Sequence, residues 1–127
     1  MSVQSVTGGA PAPLPSPVRL GDVLDPDCPS RVILDHLTSK WGVLVLIVLR
    51  GRTVRFGELR RSIGIVSERM LAQTLRVLEA DGFVARKEFP VVPLHVEYSL
   101  TPLGEGAAEK VHALVDWVQS NQFVAAE

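Results

Sequence analysis

The chain has 127 residues, of which 46% are hydrophobic and 21% are charged, so it can build one domain with an apolar core and is not disordered throughout. Its longest apolar run, residues 43–49, is too short to cross a bilayer, and the N-terminus lacks the basic and apolar regions of a signal peptide. The single cysteine, Cys28, excludes an internal disulfide and is typical of a reducing, cytoplasmic setting.

The net charge of -1 conceals an uneven distribution of charge along the chain. Residues 50–87 hold nine basic and four acidic side chains, a net charge of +5, while the remainder holds four basic and ten acidic ones, a net charge of -6. A basic centre in a nearly neutral chain indicates a surface for a polyanion such as nucleic acid.

The N-terminal third predicts a flexible segment followed by helices. Residues 1–17 read as a flexible leader rich in Pro, Ala and Gly, and residues 18–127 as one domain. The apolar residues between 18 and 24 are compatible with a short arm that docks on a partner subunit. Pro29 suits the first position of a helix whose apolar side includes Ile33, Leu37 and Trp41. The apolar run 43–49 fits either a buried strand or a buried helix, and Gly51 as a C-cap favours the helix.

Two short helices with a tight turn follow a predicted short strand at Thr53 and Val54. Residues 55–62 form an amphipathic helix that Gly64 ends, and a second helix covers 66–81, with Ser67 as its N-cap and Gly82 as its C-cap. This order is typical of a helix-turn-helix. The predicted core face of the second helix consists of Met70, Leu71, Leu75, Val77 and Leu78. The opposite face consists of Arg69, Ala72, Gln73, Arg76 and Ala80.

The polar face of this helix has two interpretations. Arg and Gln are the side chains that read guanine and adenine edges in a major groove, so Arg69, Gln73 and Arg76 are predicted to contact bases, with Ser67 and Glu68 beside the backbone or the first bases. The alternative is an ordinary surface helix with solvated charges.

After this helix, the spacing of apolar residues changes from the helical period to the two-residue alternation of β-strands. Val84–Phe89 and His95–Leu100 are predicted strands, the second with Val96, Tyr98 and Leu100 inward and its other residues outward. A hairpin directly after a recognition-type helix is typical of a wing. Thr101 and Pro102 then begin a final helix with an apolar stripe broad enough to predict dimerisation, through Leu103, Ala107, Val111, Leu114, Trp117 and Val118.

With that order in view, the sequence resembles the HxlR-type winged helix-turn-helix transcriptional regulators, a MarR-like bacterial group, from Cys28 to about Asn121. The resemblance is carried by CP (28–29), KW (40–41), RFGELRR (55–61), SERML (67–71), LRVLEADGFVAR (75–86) and VEYSLTPLG (96–104). It implies a homodimeric cytoplasmic DNA-binding regulator with N- and C-terminal helices in the dimer interface. It also implies that the cysteine at the start of the first helix is, in several members, a sensor of oxidants or electrophiles. The chain departs from the family pattern at Thr38 and Ser39, where members usually have glycines.

The sequence offers little for catalysis, metal or cofactor binding. The three histidines, His36, His95 and His112, are scattered, with no HExxH or paired-cysteine spacing, and no glycine loop for phosphate is present, so no enzyme, metal site or cofactor is predicted. Cys28 at a helix N-terminus is either a redox-sensing thiol or a small structural residue. Trp41 and Trp117 either line an effector pocket at the dimer interface or belong to the core.

These observations predict an α+β, mainly α fold: a winged helix-turn-helix with flanking N- and C-terminal dimerisation helices. The predicted function is that of a homodimeric repressor in the bacterial cytoplasm, associated with the nucleoid, which binds a pseudo-palindromic double-stranded DNA operator and responds to oxidants through Cys28. The alternatives are a regulator that responds to a small-molecule effector and a winged-helix module for protein–protein contact. Predicted phosphate contacts, which position the protein on DNA, come from Arg55, Arg60, Arg61, Arg86 and Lys87, and His95 is included at the wing.

Overall fold

The computed structural model of the chain describes residues 23–124. Five complete helices and three strands lie in this range, in the order α1 (Pro29–Leu37), α2 (Lys40–Leu49), β1 (Thr53–Arg55), α3 (Phe56–Ile63), α4 (Glu68–Ala80), β2 (Val84–Phe89), β3 (His95–Leu100) and α5 (Pro102–Ser120). The predicted leader and most of the predicted arm lie outside the described residues, so the domain boundary at residue 17 stays a prediction. Of the described residues, 23–32 belong to one compact unit and 33–124 to a second.

The predicted mainly helical winged helix-turn-helix is confirmed. Helices α3 and α4 form the helix-turn-helix, and β2 and β3 form the wing with the predicted bounds. The antiparallel sheet has the strand order β1-β3-β2, with Val84 opposite Leu100 and Phe89 opposite His95. The short strand β1 pairs with the other edge of β3, which joins the start of the helix-turn-helix to the wing.

The core of the second unit is built where α2, α3 and α4 meet. It is dominated by leucines that are at most 2% exposed, namely Leu46, Leu49, Leu59, Leu71, Leu75 and Leu78. The apolar run 43–49 therefore lies in a buried helix, as predicted. The predicted core face of α4 is correct for its three leucines but wrong for Met70, which is 42% exposed, because no neighbouring element covers that edge of the helix as fully as it covers the leucines.

The first helix is shorter than predicted. It ends at Leu37, and Trp41 belongs to α2, because Ser39 begins a new helix as an N-cap: its Oγ accepts a hydrogen bond from the Gly42 amide at 3.1 Å. Gly42 packs so closely on the end of α1 that a Cβ there would lie 2.5 Å from the His36 carbonyl oxygen. The break between the two helices therefore depends on a serine cap and on a glycine without a side chain.

The end of α4 is fixed to the wing and to α5. Gly82 has φ +89°, and the Gly82 and Phe83 amides donate to the carbonyls of Glu79 and Leu78, which is the Schellman arrangement. The Thr101 hydroxyl donates to the Gly82 carbonyl at 2.6 Å and also caps α5. At the start of α5 a Cβ on Gly104 would lie 2.0 Å from the Phe83 carbonyl oxygen, so this close approach requires glycine.

The inward–outward alternation predicted for β3 is not seen in the exposure of its side chains. His95 through Ser99 are all partly buried. The physical reason is that β3 is the middle strand, so side chains of β1 and β2 flank it on both sides. His95 and Glu97, predicted to point into solvent, also shield each other through a contact of 2.7 Å between Nε2 and Oε2.

Among residues 23–124, no single helix is long and apolar enough to span a membrane; α1 and α2 pass that test only when taken together, with a bend of 69° between them.

Candidate nucleic-acid interface

Helix α4 presents a polar face on the side opposite its buried leucines. The Ser67 hydroxyl accepts from the Met70 amide at 3.0 Å, so the predicted N-cap is confirmed and the helix begins at a fixed point. Arg69, Gln73 and Arg76 are exposed on this helix. Within residues 23–124 none of the three side chains forms a hydrogen bond or an ion pair, so their polar groups are available to an external partner.

Arg60 fixes the turn between α3 and α4. Its Nε donates to the Val66 carbonyl at 2.9 Å, and its Nη1 lies 3.6 Å from Glu68 Oε2. Val66 is buried, so both the Arg60 hydrogen bond and the packing of Val66 in the core hold the turn in place. Sequence reasoning assigned Arg60 only to phosphate, and it missed this second, internal role because the bond joins a side chain to a backbone atom.

A surface concavity of about 550 Å³ lies at this turn. Its lining contains two arginines, a helix N-terminus and two aliphatic residues, contributed by Gly57, Arg60, Arg61, Gly64, Ile65, Val66 and Ser67. Arg61 is exposed, and its Nη1 would be 3.4 Å from a Cβ at Gly57, so the guanidinium lies over the first turn of α3. Positive charge and free amides of a helix N-terminus favour an anion such as a phosphate group.

The predicted positive charge of the wing is partly neutralised within the wing itself. Arg86 forms an ion pair with Glu88, and hydrogen bonds first to Glu88 and then to Tyr98 raise the pKa of its guanidinium. Glu88 lies just beyond the segment that gave +5, and including it reduces the net charge of the basic centre to +4. Residues two apart in a strand point to the same face, so the spacing of Arg86 and Glu88 in the sequence could have predicted this ion pair.

The remaining predicted wing and strand residues have different surroundings. Lys87 is exposed, and its Nζ lies 5.1 Å from the centroid of the Phe89 ring. His95 contacts both Glu97 and the edge of the Phe89 ring, the latter at 4.8 Å between centroids. Arg55 is exposed at the end of β1, opposite Glu97 in the sheet. Of these three side chains, those of Lys87 and Arg55 are exposed, and that of His95 is held within the wing.

The predicted dimerisation stripe on α5 divides into two groups. Ala107 and Val111 pack against the core of this chain. Leu103, Leu114 and Trp117 are each about 60% exposed, and Val118 is 45% exposed. The buried residues of α5, Gly104 and Ala108, lie in its first half. An exposed apolar surface therefore remains on the second half of the helix, where the Trp117 and Phe123 rings lie 6.2 Å apart.

Cys28 lies immediately before α1 and is partly buried. Within residues 23–32 its amide donates to the Asp25 carbonyl at 3.0 Å. Arg31 Nη1 donates to the carbonyls of Val23 and Leu24 at 3.3 and 3.2 Å, so these bonds order the segment before the helix. The thiol is thus at a helix N-terminus, as predicted from Pro29.

The two tryptophans do not share a pocket in the described chain. Trp41 lines a cavity of about 200 Å³ between α1, α2 and α4, together with Asp35, His36, Ser39, Met70, Gln73, Thr74, Val77 and Leu78. Trp117 is absent from this lining and contacts Phe123 instead. The cavity reaches Gln73, which is one of the predicted base-contacting residues.

Each histidine pairs with a carboxylate in the described part of the chain. His36 Nδ1 lies 2.6 Å from Asp81 Oδ2, and His112 Nδ1 lies 3.3 Å from Asp116 Oδ2, in addition to the pair of His95 and Glu97. Among residues 23–124, no three His, Cys, Asp or Glu side chains come together in a group that could hold a metal ion. The His36 pair joins the end of α1 to the end of α4, which is a structural role.

Comparison with known proteins identifies relatives over most of the chain. Residues 36–125 match a family model described as HxlR-like helix-turn-helix. The HTH-type transcriptional regulator YtfH of Escherichia coli (strain K12) is 59% identical over 104 residues, which is 82% of each chain.

Solved structures agree with this similarity. The transcriptional regulator ytfH from Salmonella typhimurium has 60% sequence identity and a TM-score of 0.73, covering 76% of this chain and 87% of that one. The redox regulator HypR in its oxidized form has 38% identity and a TM-score of 0.69, covering 76% of this chain and 100% of that one.

Proposed function

The chain belongs to the HxlR-like helix-turn-helix family, and from this premise we propose that it is a homodimeric, cytoplasmic repressor that binds a specific sequence of double-stranded DNA. Family membership supports transcriptional regulation through a helix-turn-helix. We also propose which residues contact the bases, that the chain forms a homodimer, and that oxidants control its binding to DNA.

One observation carries the proposal. Arg69, Gln73 and Arg76 project from a helix that is capped at Ser67 and anchored by buried leucines, and they have no hydrogen-bond or ion-pair partner within residues 23–124. An arginine can donate two hydrogen bonds to guanine, and an amide can pair with adenine. A rigid helix with three such side chains on one face suits insertion into a major groove.

Contacts to phosphate would position this helix. The cations around it come from the supporting helix, the first strand and the wing, and we assign phosphate contacts to Arg55, Arg60, Arg61, Arg86 and Lys87, with His95 beside them. Arg55, Arg61 and Lys87 are the strongest candidates because none of the three has a carboxylate partner within residues 23–124. Arg86 is the weakest, since its charge is already paired with Glu88.

A homodimer would give two recognition helices on one face of the DNA. The exposed apolar residues on the second half of α5 support this assembly, because a stable chain rarely leaves a contiguous apolar patch in water. Twofold symmetry then predicts a pseudo-palindromic operator with half-sites about one helical turn, ~34–36 Å, apart.

Redox control is proposed through Cys28. It is the only cysteine, so any disulfide must join two subunits or join the protein to a small thiol. The similarity to the redox regulator HypR supports this proposal. Oxidation that changes the relation of the two subunits would shift the spacing of the recognition helices and weaken binding to fixed half-sites.

The direct test is selection of bound fragments from random duplex DNA, followed by titration of the selected sequence against salt. A sequence-specific regulator yields an enriched pseudo-palindrome, with a logarithm of affinity that falls linearly with the logarithm of salt concentration. Failure to enrich any sequence, with no duplex binding at moderate salt, would contradict the proposal and favour a protein–protein contact module.

A second candidate function is response to a small effector. The cavity beside Trp41 supports it, because a bound molecule would contact both the tryptophan ring and Gln73 on α4. Its volume of about 200 Å³ is smaller than that of a typical ligand pocket, so only a small molecule would fit. Quenching of Trp41 fluorescence in a Trp117→Phe protein would report such binding.

A further inference from the structure

Ile65 is an almost fully exposed aliphatic residue in the turn of the helix-turn-helix. Ile65 is 96% exposed, whereas Val66, the next residue, is 6% exposed. Gly64, before it, has φ +101° and allows the chain to reverse at this point. The core therefore takes Val66 and leaves Ile65 on the outer side of the turn.

The position of Ile65 is fixed by its neighbours. The Arg60 side chain holds the Val66 carbonyl at 2.9 Å, and Ser67 caps α4 one residue later. The turn cannot rotate to bury Ile65 without breaking the Arg60 bond and removing Val66 from the core. A β-branched side chain also has few rotamers, so the outward methyl groups are preorganised.

The surroundings of Ile65 are those of the proposed DNA contact. It lines the same concavity as Arg60, Arg61 and Ser67, which are expected to face the phosphate backbone and the first bases. An isoleucine gains nothing from a phosphate group, and the base edges exposed in a major groove carry hydrogen-bonding atoms and one apolar group, the C5 methyl of thymine.

We propose that Ile65 is a specificity-determining residue that contacts the C5 methyl group of a thymine in each half-site. This inference rests on the proposed function, because it requires α4 in a major groove. It adds an apolar preference for thymine to the hydrogen-bond readout by Arg and Gln.

The test compares thymine with uracil, which differs only by the absence of that methyl group. In the selected operator, each dT of a half-site is replaced in turn by dU, and affinities are measured for the parent, Ile65→Ala and Ile65→Val proteins. At one position per half-site the parent should bind the dU operator about fourfold more weakly, as expected for about 0.8 kcal/mol from one buried methyl group. Ile65→Val should keep this ratio, and Ile65→Ala should reduce it to about one.

Val124→Ala is the matched control, because Val124 is 98% exposed and lies near the C-terminal end of the described chain. It should bind both operators as the parent does. An unchanged ratio of dT to dU affinity in Ile65→Ala, or no effect of dU at any position, would overturn the inference while leaving the proposed function intact. A parent protein that binds no duplex at all would instead refute the proposed function.

Discussion

The side chains of Gln73 and Arg76 on α4 differ from those of Arg60 and Arg86 because they form no internal hydrogen bond or ion pair within residues 23–124. Arg60 is hydrogen-bonded to the turn and Arg86 to the wing. A side chain that is already held by the protein is suited to fix the position of an element. A side chain without such bonds is suited to exchange its water for a base edge.

Replacement of Gln73 or Arg76 by Ala is therefore expected to reduce the discrimination between the operator and a scrambled duplex by about 1–3 kcal/mol, because each removes a base contact. Fluorescence anisotropy with both duplexes measures it. Arg61→Ala is the control: loss of a phosphate contact should weaken both duplexes alike and lower the salt slope by about one unit. If Arg76→Ala weakens both duplexes equally, Arg76 contacts phosphate and the readout assignment is wrong.

Cys28 gives a second prediction at the level of one residue. Diamide or a quinone is expected to release the parent protein from its operator. The Cys28→Ser protein should bind the operator with or without oxidant, because it lacks the only thiol of the chain. Operator binding titrated against oxidant, with non-reducing electrophoresis beside it, measures both the release and any bridge between subunits. Equal insensitivity of the two proteins would leave Cys28 with a structural role.

At the level of the elements, two glycines on α5 provide a matched pair. A Cβ at Gly104 would lie 2.0 Å from the Phe83 carbonyl oxygen, while a Cβ at Gly106 would meet nothing within 4 Å in the described structure. Gly104→Ala forces α5 away from the start of the wing and should lower the free energy of unfolding by about 1–3 kcal/mol.

Gly106→Ala, on the same helix, should raise the free energy of unfolding by up to about 1 kcal/mol, because alanine has the higher helix propensity. Urea denaturation followed by circular dichroism measures both variants. Equal stability changes in the two proteins would show that the contact between Gly104 and Phe83 does not limit the packing of α5.

At the level of the whole molecule, α5 has more apolar surface than this chain covers. Leu114→Glu places a charge in the exposed group of Leu114, Trp117 and Val118, and it should abolish dimerisation and operator binding. Sedimentation velocity measures the assembly. Lys110→Glu also changes charge on α5, at a residue whose side chain is 84% exposed, and should leave the dimer intact. A parent protein that sediments as a well-behaved monomer would refute the assembly.

The elements that could be predicted from the sequence are those whose signals are local. The caps at Ser67, Thr101 and Gly82 act within a few residues, so α4 begins and ends, and α5 begins, within a residue or two of the predicted positions. The two wing strands have the predicted bounds for the same reason, since alternation and flanking prolines are visible in a short window. The order of these elements was sufficient to recognise the family.

Which helix and strand faces pack against each other could not be predicted from the sequence and is visible in the folded chain alone. Met70 is exposed, Ala107 and Val111 are taken into the chain's own core, and Ile65 stands outside it, because burial depends on which neighbours cover a side chain. The bond from Arg60 to the Val66 carbonyl is likewise invisible in sequence, since any residue offers a carbonyl and only the folded turn brings that one within 2.9 Å. Periodicity assigns a side chain to a face, but packing against other elements determines whether that face is core, interface or binding surface.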